Sequence, residues 1–237
     1  MTVHSENVMT TKTLVEQLLG RPSVREECID HRLIEDTEKH LKVTLPKALR
    51  AFYLTAGANK LFLYGPLSFL LPRDLVVDHD CLFFLHGSEQ RVFWGMNRIT
   101  GKIVTKTSVG KKTFSNCNLN TFLRAFICKQ AITSDWNKLA AANGKNDYYC
   151  ILEQREFLDN PRSKAYVEQA LTNWTPIVND QDQHVLQQDE NSMLFFCSED
   201  YASVSDYRVL IRTNDKEMME RLVDKLGFWR LLSPPKL

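Results

Sequence analysis

Apolar residues recur along this chain at two different periods, and the change from one to the other organises its first half. Leu14, Val15, Leu18 and Leu19 follow Thr13 at helical spacing and predict a short amphipathic helix stopped by Gly20. A second helix is expected from about Val24 to Leu41, with Leu33, Ile34, Thr37 and Leu41 along one face. Pro46 suits the first turn of a third helix, where a missing N–H costs nothing. Leu49, Phe52, Tyr53 and Ala56 line that helix, and Gly57 reads as a left-handed cap.

Beyond Gly57 the period shortens. Leu61–Tyr64, Leu67–Leu71, Cys81–Leu85, Val92–Met96 and Lys102–Thr107 are short, apolar or β-branched, and separated by Gly, Pro, Asp and Asn. Hairpins are expected around His86–Arg91 and Thr100-Gly101, and Asn120 reads as the cap of a helix with Phe122, Leu123, Phe126 and Ile127 on its apolar face. The polar run Ala141–Asp147 marks a boundary between residues 1–145 and 146–237. After it come strand-like Tyr148–Leu152, a helix within Pro161–Leu171, strands near Trp174–Val178, Met193–Cys197 and Tyr207–Ile211, and a helix over Asp215–Gly227. This order predicts an α+β fold: N-terminal helices on a mainly antiparallel sheet of short strands, with a C-terminal α+β region that stands alone or completes the first.

Composition narrows the class. Of 237 residues 43% are apolar and 25% charged, enough for a sizeable core. No apolar run approaches the roughly 20 residues that cross a bilayer, and the opening MTVHSENVMTTKT does not read as a secretory signal. Cys28, Cys81, Cys117, Cys128, Cys150 and Cys197 form no CxxC pair, and several sit in apolar runs, so free thiols and a reducing cytoplasm are expected. The net charge of +1 conceals an asymmetry. Residues 1–145 hold 20 basic and 13 acidic side chains, net +7, whereas residues 146–237 hold 10 and 16, net −6. From Ala165 to Tyr207 there is no Lys or Arg, and the acids include Asp180, Asp182, Asp189, Glu190, Glu199 and Asp200. Such a stretch is either a solvated face or a surface for a basic partner.

Ile34, Glu38 and Leu41 before Leu45-Pro46, then Leu49, Phe52 and Tyr53 leading to Gly57, are followed by Leu82–Leu85, Phe93-Trp94-Gly95 and the helix from Leu119 to Phe126. In this order, residues 33–132 resemble the SUKH superfamily of bacterial toxin-immunity proteins and fungal cell-wall regulators. The chain departs from the family's pattern after the second helix, where Ala58-Asn59-Lys60 replaces a Gly-rich segment. The resemblance implies a non-enzymatic protein that binds and neutralises a toxin, a nuclease in many members. It makes Glu38, Leu45, Pro46, Gly57, Trp94 and Gly95 scaffold residues: Glu38 a helix-surface or capping residue, and Trp94 a core indole with an N–H partner.

Other chemistry is thinly supported. Asp78-His79-Asp80 with His86 is the best metal-like cluster, but it reads equally as a turn before a strand. No HExxH, GxSxG or GxxxxGK[ST] occurs. Cys117 precedes a helix without an evident activating base. Lys102, Lys106, Lys111 and Lys112 make only a modest patch for direct nucleic-acid binding. The expectation is therefore an immunity protein without catalytic residues, metal or cofactor, acting by stoichiometric occlusion of a toxin. The six acids named above would contact it, with Trp174, Tyr201 and Phe157 as aromatic anchors. A regulatory scaffold binding several proteins and a metal-dependent enzyme at Asp78–His86 are the alternatives.

Overall fold

The computed structural model describes residues 10–19, 21–64, 67–87, 91–133, 148–153, 161–179, 183–189, 192–197, 207–213, 217, 220 and 231–232. The protein is α+β and separates into two compact units, Met1–Arg124 and Ala125–Leu237. Among the described residues no helix is long and apolar enough to cross a membrane. The polar run at 141–147 lies outside the described residues.

In the first unit α1 (Thr11–Leu19) buries Leu14, Val15, Leu18 and Leu19, the stripe its spacing predicts. The second predicted helix is shorter than expected. Arg25–Glu27 make a single 3-10 turn, Cys28 is extended, and α2 begins only at His31, running to Leu41. Asp30 sets that start, since its side chain accepts from the Arg32 amide at 2.8 Å. The amide of Ile29 is spent on the Tyr53 carbonyl, 2.9 Å away, which ties this segment to the end of α3 (Lys47–Ala56). On α2, Ile34 and Thr37 are buried, whereas Leu33 remains exposed.

Two further expectations are corrected. Leu61–Tyr64 is not a strand: Lys60–Leu63 forms a one-turn helix, α4, because Asn59 caps it by accepting from the Leu61 amide at 2.9 Å. The helix α5 (Leu119–Thr133) is capped by Asn118, not Asn120; the Asn118 side chain accepts from the Thr121 amide at 3.0 Å.

Among the described residues six strands form the first sheet: β1 (Leu67–Phe69), β2 (Val76–Asp78), β3 (Cys81–Gly87), β4 (Val92–Asn97), β5 (Lys102–Thr107) and β6 (Lys112–Asn118). Their order is β1-β3-β4-β5-β6, with β2 also on β3, and every pairing is antiparallel. β2 and β6 are not expected from the sequence, being short or polar. One face carries Phe69, Leu85 and Trp94 in register. There Phe52 of α3 stacks on Phe69 at 4.1 Å between ring centroids, and Phe84 bridges Phe69 and Phe122. Tyr53 is fully buried and donates to the Leu70 carbonyl at 2.6 Å, and burial pushes its phenol far above its ordinary range.

Among the described residues the second unit holds another antiparallel sheet, of six strands: β7 (Tyr148–Glu153), β8 (Thr175–Asn179), β9 (Gln183–Asp189), β10 (Ser192–Cys197), β11 (Tyr207–Thr213) and β12 (Leu231–Leu232). It is ordered β12-β7-β11-β10-β9-β8 and accompanied by α6 (Pro161–Asn173). Val185, Leu186, Leu194 and Ile211 are its buried centre, and Ser192 and Thr213 satisfy one another's buried hydroxyls at 3.0 Å. Of the predicted helix at 215–227, only Glu217 and Glu220 are described, both helical.

Candidate partner-binding surface

Glu38, Leu45, Pro46, Gly57, Trp94 and Gly95 all lie in the first unit. Glu38 does more than cap a helix. From α2 it accepts the Leu45 amide at 2.7 Å and the Arg50 Nη1 at 2.6 Å, so one carboxylate ties together α2, the Leu45-Pro46 junction and α3. Burial opposes its charge, but the Leu45 amide, Arg50 and then His31 outweigh burial and hold the carboxyl below its ordinary value. Leu45 is buried, and Pro46 immediately precedes the first helical residue of α3.

Gly57 and Gly95 are required for space. Gly57 ends α3 in a right-handed conformation, φ −66°, not the left-handed cap its position suggests. A Cβ there would lie 2.6 Å from the Tyr53 ring and 2.8 Å from Ile29. Gly95 on β4 pairs with Phe83 on β3, and a Cβ would lie 2.4 Å from the Leu82 carbonyl oxygen, beside the register shift between Phe83 and Leu85. Trp94 is buried, but its indole Nε1 has no hydrogen-bond acceptor among the described residues, against the expectation of a partner.

The opposite face of this sheet carries a different arrangement. Val76, Phe83, Gly95, Val104 and Phe114 pair in sequence across β2, β3, β4, β5 and β6, forming one continuous row. Its middle is buried, with Phe83 at 2% and Val104 at 0% exposure, and Cys81 and Phe93 pack with them. Its ends are open: Val76 is 47% exposed and Phe114 54%. An ionic clasp accompanies the row. Lys106 Nζ lies 2.7 Å and Lys112 Nζ 3.0 Å from Asp78 Oδ2, and the Lys106 ammonium is 5.7 Å from the centre of the Phe83 ring. The lysine stems cover apolar surface while their heads stay partly wet. Hydrogen bonds first from Lys106 and then from Lys112 draw the Asp78 carboxyl down to about 2.

This arrangement bears on the metal-like cluster. Asp78 faces two ammonium groups, and His79 sits at a positive φ of 53° with its side chain 87% exposed. His86 Nδ1 is 3.0 Å from the Gly87 carbonyl. Among the described residues no three His, Cys, Asp or Glu side chains converge to hold a metal ion. Cys117 is buried near the end of β6, its thiol against the Asn118 carbonyl.

Of the predicted contact residues, Asp180, Asp182, Glu190, Glu199, Asp200, Tyr201 and Phe157 lie outside the described residues. Asp189 ends β9 opposite Ser192, and its side chain is likewise outside the described part. Trp174 follows α6, half-buried, with its amide donating to the Ala170 carbonyl at 2.9 Å. Sequence reasoning missed the row and its clasp. The alternation Lys102, Val104, Lys106 against Lys112, Phe114 was the available signal, once β6 is recognised as a strand. No protein-family model matches the chain, and neither a curated protein nor a solved structure matches it.

Proposed function

We propose that this chain is a toxin-neutralising protein of the SUKH type that acts by stoichiometric binding, covering a toxin's active site or its substrate's approach. The observation that carries the reading is the Glu38 latch between α2, Leu45 and Arg50. It gives a fold-level task to a residue of the family-like pattern, as Gly57 and Gly95 have in their crowded positions. Residues committed to the scaffold leave recognition to exposed surfaces and loops. On this reading the base-free acidic stretch recruits a basic toxin domain, a nuclease being the fitting class. Asp180, Asp182, Asp189, Glu190, Glu199 and Asp200 speed its approach, and Trp174, Tyr201 and Phe157 anchor it.

The test is co-expression with the product of the neighbouring reading frame. A product that is toxic alone, harmless with this chain and recovered with it as a stoichiometric complex supports the reading. A harmless product, or toxicity unrelieved by the chain, removes it.

A second reading, a regulatory scaffold for several proteins, is favoured by one observation. The first 145 residues carry net +7 and the remainder net −6, so the chain offers partners two chemistries. Several stoichiometric partners without rescue from toxicity would select it.

A further inference from the structure

We propose that the face of the first sheet bearing the Val76–Phe114 row and the Asp78–Lys106–Lys112 clasp docks an acidic segment of a partner protein with apolar side chains interspersed. This goes beyond the toxin reading, because it concerns a part of the chain outside the acidic stretch and stands or falls separately from it.

Charge complementarity identifies the occupant. Within β2 to β6 this face carries Lys102, Lys106 and Lys112 against one carboxylate, Asp78, with His86 and the buried Cys81 thiol as its other titratable groups, Lys111 adjoining Lys112 and the His79 imidazole 3.6 Å from Asp78. An ammonium has three donors. Each clasp lysine spends one on Asp78 and keeps 31% (Lys106) or 24% (Lys112) of its side chain in water. Asp78 therefore fixes the two heads side by side while leaving a net positive charge, a preorganised cradle for a second carboxylate. Half-exposed Val76 and Phe114 flank the cradle and offer apolar contact at both ends of the row.

A nucleic acid fits this face less well. Base stacking needs open aromatic rings, and here Phe83 is 2% exposed beneath Lys106 and Phe93 is partly covered, which leaves Phe114. The carboxylate 3.0 Å or less from both ammonium groups also weakens the field that phosphates require.

The experiment is an amide-resolved NMR titration of the full chain with a synthetic peptide alternating glutamate with leucine. A lysine–leucine counterpart and an oligothymidylate of similar length are the controls. The glutamate peptide should shift Val76, Lys106, Lys112 and Phe114 and their strand neighbours, and the lysine peptide should not. Lys106→Gln with Lys112→Gln should weaken binding roughly tenfold, two exposed ion pairs being worth about that factor. Should that double variant not fold, Phe114→Ser and Lys102→Gln, both at exposed positions, should each weaken binding several-fold with an unchanged melting temperature. No shifts, shifts elsewhere, an equal response to the lysine peptide, or folded variants that bind as before would overturn the proposal. Tighter binding of the oligothymidylate at these same residues would replace the acidic protein with a nucleic acid.

Discussion

Gly95 stands directly opposite Phe83 across β3 and β4, and the glycine leaves open the space that a side chain would take from the Phe83 backbone. A Cβ at position 95 would meet the Leu82 carbonyl oxygen at 2.4 Å and the Phe83 Cα at 2.9 Å. Gly95→Ala should therefore cost about 3 kcal/mol, the upper part of the usual overpacking range. Shrinking Phe83 to alanine in the same chain should give no relief, because the obstruction is backbone. Urea unfolding of the single and double variants checks this; recovery in the double variant would locate the crowding in the ring instead.

Gly57 makes a sharper distinction. If it served as a left-handed cap, Asn would be tolerated there better than Ala. Its φ is −66°, and a Cβ at this position would stand 2.6 Å from the Tyr53 ring, so bulk is what the site refuses. Gly57→Ala should lower the melting temperature, and Gly57→Asn should lower it further. A better-tolerated Asn would contradict the steric account.

Glu38 can be tested by size and charge separately. Glu38→Gln keeps an acceptor for the Leu45 amide and loses the charge facing Arg50, whereas Glu38→Ala leaves that amide without its partner. The alanine variant should lose about 2 kcal/mol and the glutamine variant less. The folded carboxyl titrates below its ordinary 4.5. Its contribution is therefore full above that value and is lost as the pH falls through the lower folded value. A melting-temperature profile between neutral and strongly acidic pH should lose part of its acid limb in Glu38→Gln.

The clasp makes a titration prediction. Asp78 should titrate near 2, against an ordinary 3.8, when its carboxyl carbon is followed by NMR. Replacing Lys106 and Lys112 with glutamine should return the midpoint toward the ordinary value, with the larger part of the change from Lys106. The stabilisation linked to this shift is complete above 3.8 and disappears as the pH falls toward 2. An unmoved midpoint in the double variant would mean that the lysines do not hold the carboxylate in solution.

Where periodicity is strong, local reading and tertiary structure agree. Leu14, Val15, Leu18 and Leu19 are all buried, and the strands from Cys81, Val92 and Lys102 begin where alternation and turn residues place them. Disagreements sit where a polar side chain outranks an apolar pattern. Asp30 delays α2, and Asn59 converts Leu61–Leu63 into a helical turn, each by occupying an amide that another conformation would use otherwise. β6 is hard to read from sequence because KTFSNCN lacks a clear apolar period, and its pairing with β5 supplies the strand.

The candidate surface divides in the same way. Composition and neighbours three or four residues apart were enough to read the α+β class, the buried stripes of α1 and α3 and the charge asymmetry. The pairing of Asp78 with Lys106 and Lys112, the reach of Glu38 to Leu45 and Arg50, and the row ending at Val76 and Phe114 emerge in the folded chain alone. Separation along the chain is the cause. Asp78 and Lys106 are 28 residues apart. Strand register brings them together, and register depends on burying an entire face at once, which no single segment specifies.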